Sequence, residues 1–135
     1  MKGDVLFVCR ENLGRSQIAM AIYNQLNVGL AGSAGTLVDL PGRRLGEVPI
    51  CKVILDVMGD EGFDISGNTT RQVTPEMASK FGKIVVMAEP QTIPDWLWVD
   101  PKFNLWTIED LGNKNHLETR ESIYTIRDWV RDLAA

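Results

Sequence analysis

The stretch Val5-Leu6-Phe7-Val8-Cys9-Arg10-Glu11-Asn12-Leu13-Gly14-Arg15-Ser16-Gln17-Ile18-Ala19 decides how the chain is read. Val5 to Val8 is a continuous apolar run of strand formers, the pattern of a strand buried on both faces. Beyond Gly14 the apolar residues recur at Ile18, Ile22 and Leu26. That spacing is helical, and Ala19 and Ala21 favour the helix. A strand, a tight polar loop and a helix thus follow one another, an order that turns a helix N-terminus toward a ligand.

The rest of the chain repeats the alternation with weaker signals. A strand is expected over residues 30–33, broken by Gly32, and residues 37–48, with Pro41, Gly42 and Gly46, read as a long loop. Pro49 opens a helix whose face carries Ile50, Val53, Ile54 and Val57. Thr74-Pro75-Glu76 supplies the cap, first-turn proline and first-turn acid of a short helix. Lys83-Ile84-Val85-Val86-Met87 is a second buried strand and Phe103-Asn104-Leu105-Trp106 a shorter one. The last helix carries the stripe Ile123, Ile126, Val130 and Leu133, with Trp129 beside it. Strands alternating with helices imply an α/β fold whose parallel sheet is covered on both faces. With no internal repeat and no low-complexity linker, residues 1–135 read as one domain.

The totals narrow the function. A chain of 135 residues with 44% apolar and 24% charged residues can close a core without disulfides or metals. Its net charge of −4 argues against a nucleic-acid partner, which would need a basic face. Two distant cysteines, Cys9 and Cys51, and the single His116 make neither a disulfide framework nor a metal cluster, so no metal and no cofactor is expected. No apolar run approaches a membrane span or a signal peptide, so no membrane partner is expected and a cytoplasmic location is read.

Chemistry concentrates in the loop. Backbone N–H groups and the helix dipole converge on Cys9, favouring both a bound anion and thiolate over thiol. Arg15 adds a fixed positive charge and a planar fork for two oxyanion oxygens. Gly14 lets the backbone approach the anion, and Asn12 tolerates a left-handed loop conformation. Ser16 is placed to donate a hydrogen bond to the sulfur. Cys9 is therefore the candidate nucleophile and Arg15 its electrostatic partner. Arg10, Glu11, Asn12, Leu13, Gly14 and Ser16 are the candidate substrate-binding residues.

These residues resemble a known signature. Val5-Leu6-Phe7-Val8-Cys9, Asn12 and Arg15-Ser16-Gln17-Ile18-Ala19 look like the low-molecular-weight protein tyrosine phosphatase and arsenate reductase superfamily. The resemblance continues at Ser33-Ala34-Gly35-Thr36, Gly62-Phe63-Asp64-Ile65-Ser66, Arg71-Gln72-Val73-Thr74-Pro75 and Ile84-Val85-Val86-Met87. It implies a single three-layer domain with a four-stranded parallel sheet, order 2-1-3-4, flanked by helices. It also implies a late-loop aspartate that protonates the leaving group, usually in an Asp-Pro pair. Asp100-Pro101 has the dipeptide. Asp110, after Trp106-Thr107-Ile108-Glu109, has the better distance to the last helix and is the preferred acid, although Leu111 stands where proline is usual.

Other departures shape the functional expectation. The resemblance leads one to expect glycine at Glu11 and often cysteine at Gly14. The segment Ala88-Glu89-Pro90-Gln91-Thr92 lacks the two further cysteines of thioredoxin-coupled arsenate reductases, and Cys51 reads as core. Aromatic walls for a phosphotyrosine ring are missing near Asp110 and after the second strand. Trp106 and Trp129 read as packing, and His116 as a surface residue at the start of the last helix. Asn68-Thr69-Thr70 matches a glycosylation acceptor only by pattern. The expected activity is hydrolysis of a phosphomonoester, on a small molecule or a phosphoprotein, through a Cys9 thiophosphate. The alternatives are arsenate reduction with an external thiol and a non-catalytic oxyanion-binding module; a sugar-transport phosphocarrier ranks below both. Oligomeric state is not legible.

Overall fold

β1 (Val5–Cys9) is buried at every position and forms the spine of the molecule. In the computed structural model, which describes residues 4–135, it lies between two parallel neighbours. Residues 1–3 of the expected domain lie outside the described residues. β2 (Ala31–Gly35) pairs on one side in the register Val5 to Ala31 through Cys9 to Gly35. β3 (Lys83–Val86) pairs on the other, from Val5 with Lys83 to Val8 with Val86, and β4 (Phe103–Leu105) adds beyond β3. The order β2-β1-β3-β4, all parallel, is the expected 2-1-3-4.

The two faces of β1 serve different layers. Val5, Phe7 and Cys9 face a cluster built with α1 (Arg15–Gln25), α2 (Lys52–Asp60) and α5 (His116–Ala134). Leu6 and Val8 face a smaller cluster with α3 (Pro75–Ala78) and α4 (Asp95–Trp98). This period-two split explains why the run is apolar without a gap: both faces are covered. The stripe expected on the last helix is in place, with Ile123, Ile126 and Val130 buried and Leu133 packed beside them. Trp106 lies 6.0 Å from Phe7 and 5.5 Å from Trp129, ring to ring, so these aromatics pack as expected.

Two local expectations are corrected. The second strand runs over residues 31–35, and Gly32 lies within it instead of breaking it. A Cβ on Gly32 would stand 2.7 Å from the Phe81 ring, so the strand needs glycine for close packing and not for a turn. Ile50 is not on the buried face of the second helix. It sits in a 3₁₀ turn over Pro49–Cys51 that shifts the phase, leaving Ile50 exposed and burying Cys51 instead.

Among the described residues no helix is long and apolar enough to cross a membrane. α5 begins with a capping box invisible to the hydrophobic pattern. The Asn115 side chain accepts from Glu118 N–H at 2.8 Å, and Glu118 accepts from Asn115 N–H at 3.0 Å. Asn115→Ala is therefore expected to lower the unfolding free energy by about 1 kcal/mol. Urea denaturation with an unchanged m-value checks this.

Candidate active site

The order 2-1-3-4 reverses direction at β1, because the first connection runs to one side and later ones to the other. Such a switch point leaves a crevice at the carboxyl ends of the strands. Cys9 ends β1 there, and the loop of residues 10–14 wraps the crevice floor before α1 begins at Arg15. Gly35 makes this possible: a Cβ at that position would lie 2.6 Å from the Arg10 carbonyl oxygen and 3.0 Å from the Asn12 nitrogen. Thr36 and Leu37 donate backbone N–H bonds to the Cys9 and Arg10 carbonyls, both at 2.8 Å, and seat the loop on the end of β2.

Asn12 holds the loop's shape. Its φ of 61° is the left-handed conformation expected for it, and its buried side chain works at both ends. The carbonyl oxygen accepts from Arg71 N–H at 2.9 Å, and the amide donates to Ser16 Oγ at 2.8 Å. Ser16 Oγ lies 3.0 Å from Cys9 Sγ. Asn12 donates to that oxygen, and the serine hydrogen can turn to the sulfur when Cys9 is a thiolate. Gln17 tightens the ring further, donating to the Asn12 and Thr69 carbonyls and accepting from the Asn68 side chain at 3.1 Å. Asn68, which matched a modification pattern in the sequence, is thus a half-buried support of the loop. Among the described residues, the N–H groups of Glu11, Asn12, Leu13 and Gly14 donate no backbone hydrogen bond. Four such donors in the loop that follows Cys9 suit an anion nest.

Arg15 is buried on the same floor. Its Nη1 donates to the Met87 carbonyl at 2.5 Å and to the Ile108 carbonyl at 2.9 Å. Glu89 meets the Nη1–Nη2 edge with both carboxylate oxygens, at 3.0 and 3.2 Å. Burial works against the guanidinium charge, but the Glu89 bond and the nearby Cys9 and Asp110 outweigh it, so the pKa is raised above its ordinary value. Burial likewise pushes the Glu89 carboxyl up, and the bond from Arg15 with the charge of Arg10 brings it below its ordinary value. The Nε–H and one Nη2–H of Arg15 have no acceptor among the described residues, and together they form a second fork edge.

Glu89 was missed in the sequence, where residues 88–92 mattered only for lacking cysteines. Its signal was positional: it follows β3, the parallel neighbour of β1, so it emerges beside the loop that follows β1.

The two candidate acids are far apart. Asp110 lines a recess of about 20 Å³ together with Cys9, Arg15 and the loop. Its Oδ2 accepts from Arg10 Nη2 at 3.2 Å and its Oδ1 from Gly112 N–H at 3.2 Å. Asp100 precedes β4, at the opposite edge of the parallel sheet, and caps a turn by accepting from Lys102 N–H at 2.9 Å. The recess opens into a cleft of about 210 Å³ walled by Leu13, Ile50, Ile54 and Leu111, with Arg10, Glu11 and Asp110 at its lip. Gly14 has an ordinary φ of −135°. Its constraint is space, since a Cβ there would meet Ile54 Cδ1 at 3.1 Å and Leu111 Cδ1 at 3.5 Å.

With this geometry in place, comparison with known proteins is informative. Residues 4–93 match the family described as low molecular weight phosphotyrosine protein phosphatase. A curated relative from Halobacterium salinarum, described as "Putative arsenate reductase", is 28% identical over 103 residues, covering 70% of this chain and 72% of that protein. The low molecular weight protein tyrosine phosphatase of T. tengcongensis superposes with a TM-score of 0.79 over 96% of each chain at 20% identity. An arsenate reductase in the phosphate binding state superposes with a TM-score of 0.76 at 24% identity, over 97% of this chain and 95% of that one.

Cys51, the other thiol, borders the cleft but is fully buried, its Sγ 3.6 Å from the Leu13 carbonyl. Burial pushes its pKa up to about 11, with Glu11 adding to the shift and Arg43 opposing it. At pH 8 only about one molecule in a thousand would then carry the Cys51 thiolate. Iodoacetamide at pH 8 is expected to leave Cys51 unmodified in the folded protein and to alkylate it after unfolding, as peptide mass mapping would show.

Proposed function

Because the chain belongs to the low molecular weight phosphotyrosine protein phosphatase family, we propose that it hydrolyses phosphomonoesters through a covalent Cys9 thiophosphate. The observation that carries this reading is the recess in which Cys9, Arg15 and Asp110 meet, drawn from a strand end, a helix start and a loop nearly one hundred residues later. Cys9 attacks phosphorus as the thiolate, helped by the hydrogen bond from Ser16. The loop N–H groups and the second fork edge of Arg15 hold the non-bridging oxygens as charge redistributes. The bond from phosphorus to the ester oxygen breaks, and Asp110 gives that oxygen a proton. The resulting carboxylate then takes a proton from water, whose oxygen attacks the thiophosphate and releases phosphate and the Cys9 thiolate. The cleft receives the leaving alcohol. Its lining mixes aliphatic and polar residues and holds no aromatic side chain among the described residues, so a phosphotyrosine ring would find no aromatic partner there. Two reduced thiols suit a reducing compartment such as the cytoplasm.

Arsenate reduction is the second reading, supported by the printed description of the curated relative and by the absence of an aromatic wall. Here Cys9 and Arg15 keep their places, and an external small thiol supplies the electrons.

Purified protein assayed on para-nitrophenyl phosphate, with reductant and no added metal, is expected to turn over, and Cys9→Ser is expected to abolish turnover. Thiol-dependent release of arsenite without ester hydrolysis would favour the second reading, and tight phosphate binding with neither activity would mark an oxyanion-binding module. On an unactivated ester such as phenyl phosphate, Asp110→Ala is expected to lose about 10²- to 10⁴-fold in kcat, and Asp100→Ala far less. A full-rate Asp110→Ala enzyme beside an inactive Asp100→Ala would reverse the assignment of the acid.

A further inference from the structure

The Arg10 side chain does not point its fork into the anion nest; it spans the mouth. Its Nη2 donates to Asp110 Oδ2 at 3.2 Å, and its Nε stands 3.9 Å from Glu89 Oε1. Glu89 in turn holds Arg15. Four charges of alternating sign, Asp110, Arg10, Glu89 and Arg15, therefore form a chain from the mouth of the recess to its floor.

The two oxygens of Asp110 are fixed by different means. Oδ1 is tied within its own loop, accepting from Gly112 N–H, a bond that holds only while the carboxylate keeps its orientation. The Ile108 carbonyl bond from Arg15 and the burial of Leu111 place the loop backbone, whereas the Arg10 bond to Oδ2 ties the carboxylate itself to the residue next to Cys9. The pair is open to solvent, 36% exposed for Arg10 and 52% for Asp110, so it adds little to stability. Its consequence is positional. A carboxyl that must reach the leaving oxygen loses rate steeply when misplaced by about 1 Å.

We propose that Arg10 is a positioning residue that holds Asp110 over the Cys9 recess. The inference deepens the phosphatase reading and rests on it for its kinetic consequence. A nitrophenolate leaves without needing a proton, whereas a phenolate needs one, so the two esters report on Asp110 differently.

The test compares Arg10→Met, Arg10→Lys, Asp110→Asn and the Arg10→Met/Asp110→Asn double variant on para-nitrophenyl phosphate and phenyl phosphate, beside Cys9→Ser. Arg10→Met is expected to lower kcat on phenyl phosphate about tenfold further than on para-nitrophenyl phosphate, with KM moving by less than about twofold. Arg10→Lys should recover part of the loss. In the Asp110→Asn background, Arg10→Met should add less than about twofold, the non-additivity of residues acting as one unit. Equal losses on both esters, a loss confined to KM, or full additivity would overturn the assignment and make Arg10 a substrate contact or a mere support. A readout without turnover accompanies these: amide exchange at Gly112, followed by NMR, should quicken about threefold or more in Arg10→Met. Unchanged Gly112 exchange would also overturn the tether. If Cys9→Ser keeps turnover, the phosphatase reading fails while the exchange result still decides the role of Arg10.

Discussion

The buried guanidinium of Arg15 is the constraint on which the active-site edge depends. A charge withdrawn from water to this degree is tolerated only if its donors are met by oriented acceptors. Those acceptors come from three places: the Met87 carbonyl just past β3, the Glu89 carboxylate beyond it, and the Ile108 carbonyl on the loop leading to α5. Satisfying Arg15 therefore draws two loops of the carboxyl edge, the one after β3 and the one leading to α5, toward the start of α1. Breaking one partner of such a buried pair typically costs about 3–5 kcal/mol, because the other charge is stranded. The same bonds leave one fork edge of Arg15 without an acceptor among the described residues.

Asn12 plays the matching role on the other side of the sulfur. A left-handed loop residue could have been glycine, but glycine would have left Ser16 Oγ and Arg71 N–H without their partner. The asparagine joins backbone geometry to side-chain chemistry: the turn that exposes four N–H groups also orients the hydroxyl that faces Cys9. Gln17 and Asn68 extend this ring to the segment over residues 68–71, which tethers the nest to a part of the chain remote in sequence.

Much of this was legible before any coordinates. The apolar runs at residues 5–8 and 83–87 identify buried parallel strands because both faces must be covered, and the Cys9 to Ser16 spacing identifies the loop because few other chemistries need those residue types there. Asp110 and Asp100 lie apart because, in a parallel sheet, a residue just before a strand and a residue just after one lie at opposite edges. What the sequence hid was contact across the chain. Nothing local marks Glu89 as the partner of Arg15, or Arg10 as the partner of Asp110, since an exposed charge and a paired one read alike. Gly32 misled because a glycine needed for close packing against Phe81 looks the same as one that ends a strand. Ile50 misled because a 3₁₀ turn shifts the helical phase without a sequence signature.

The departures at Gly14 and Leu111 become one feature when their packing is considered. A side chain at residue 14 would approach both Ile54 and Leu111, the two apolar residues that wall the cleft. With glycine there, Leu111 can bury itself almost completely, 4% exposed, and anchor the loop that carries Asp110. A proline at residue 111 would stiffen that loop through its own ring, whereas leucine does so by filling space, and filling space requires the small neighbour. Gly14 and Leu111 are therefore complementary, and the loop that carries Asp110 is held by apolar burial on one side and the Arg10 pair on the other.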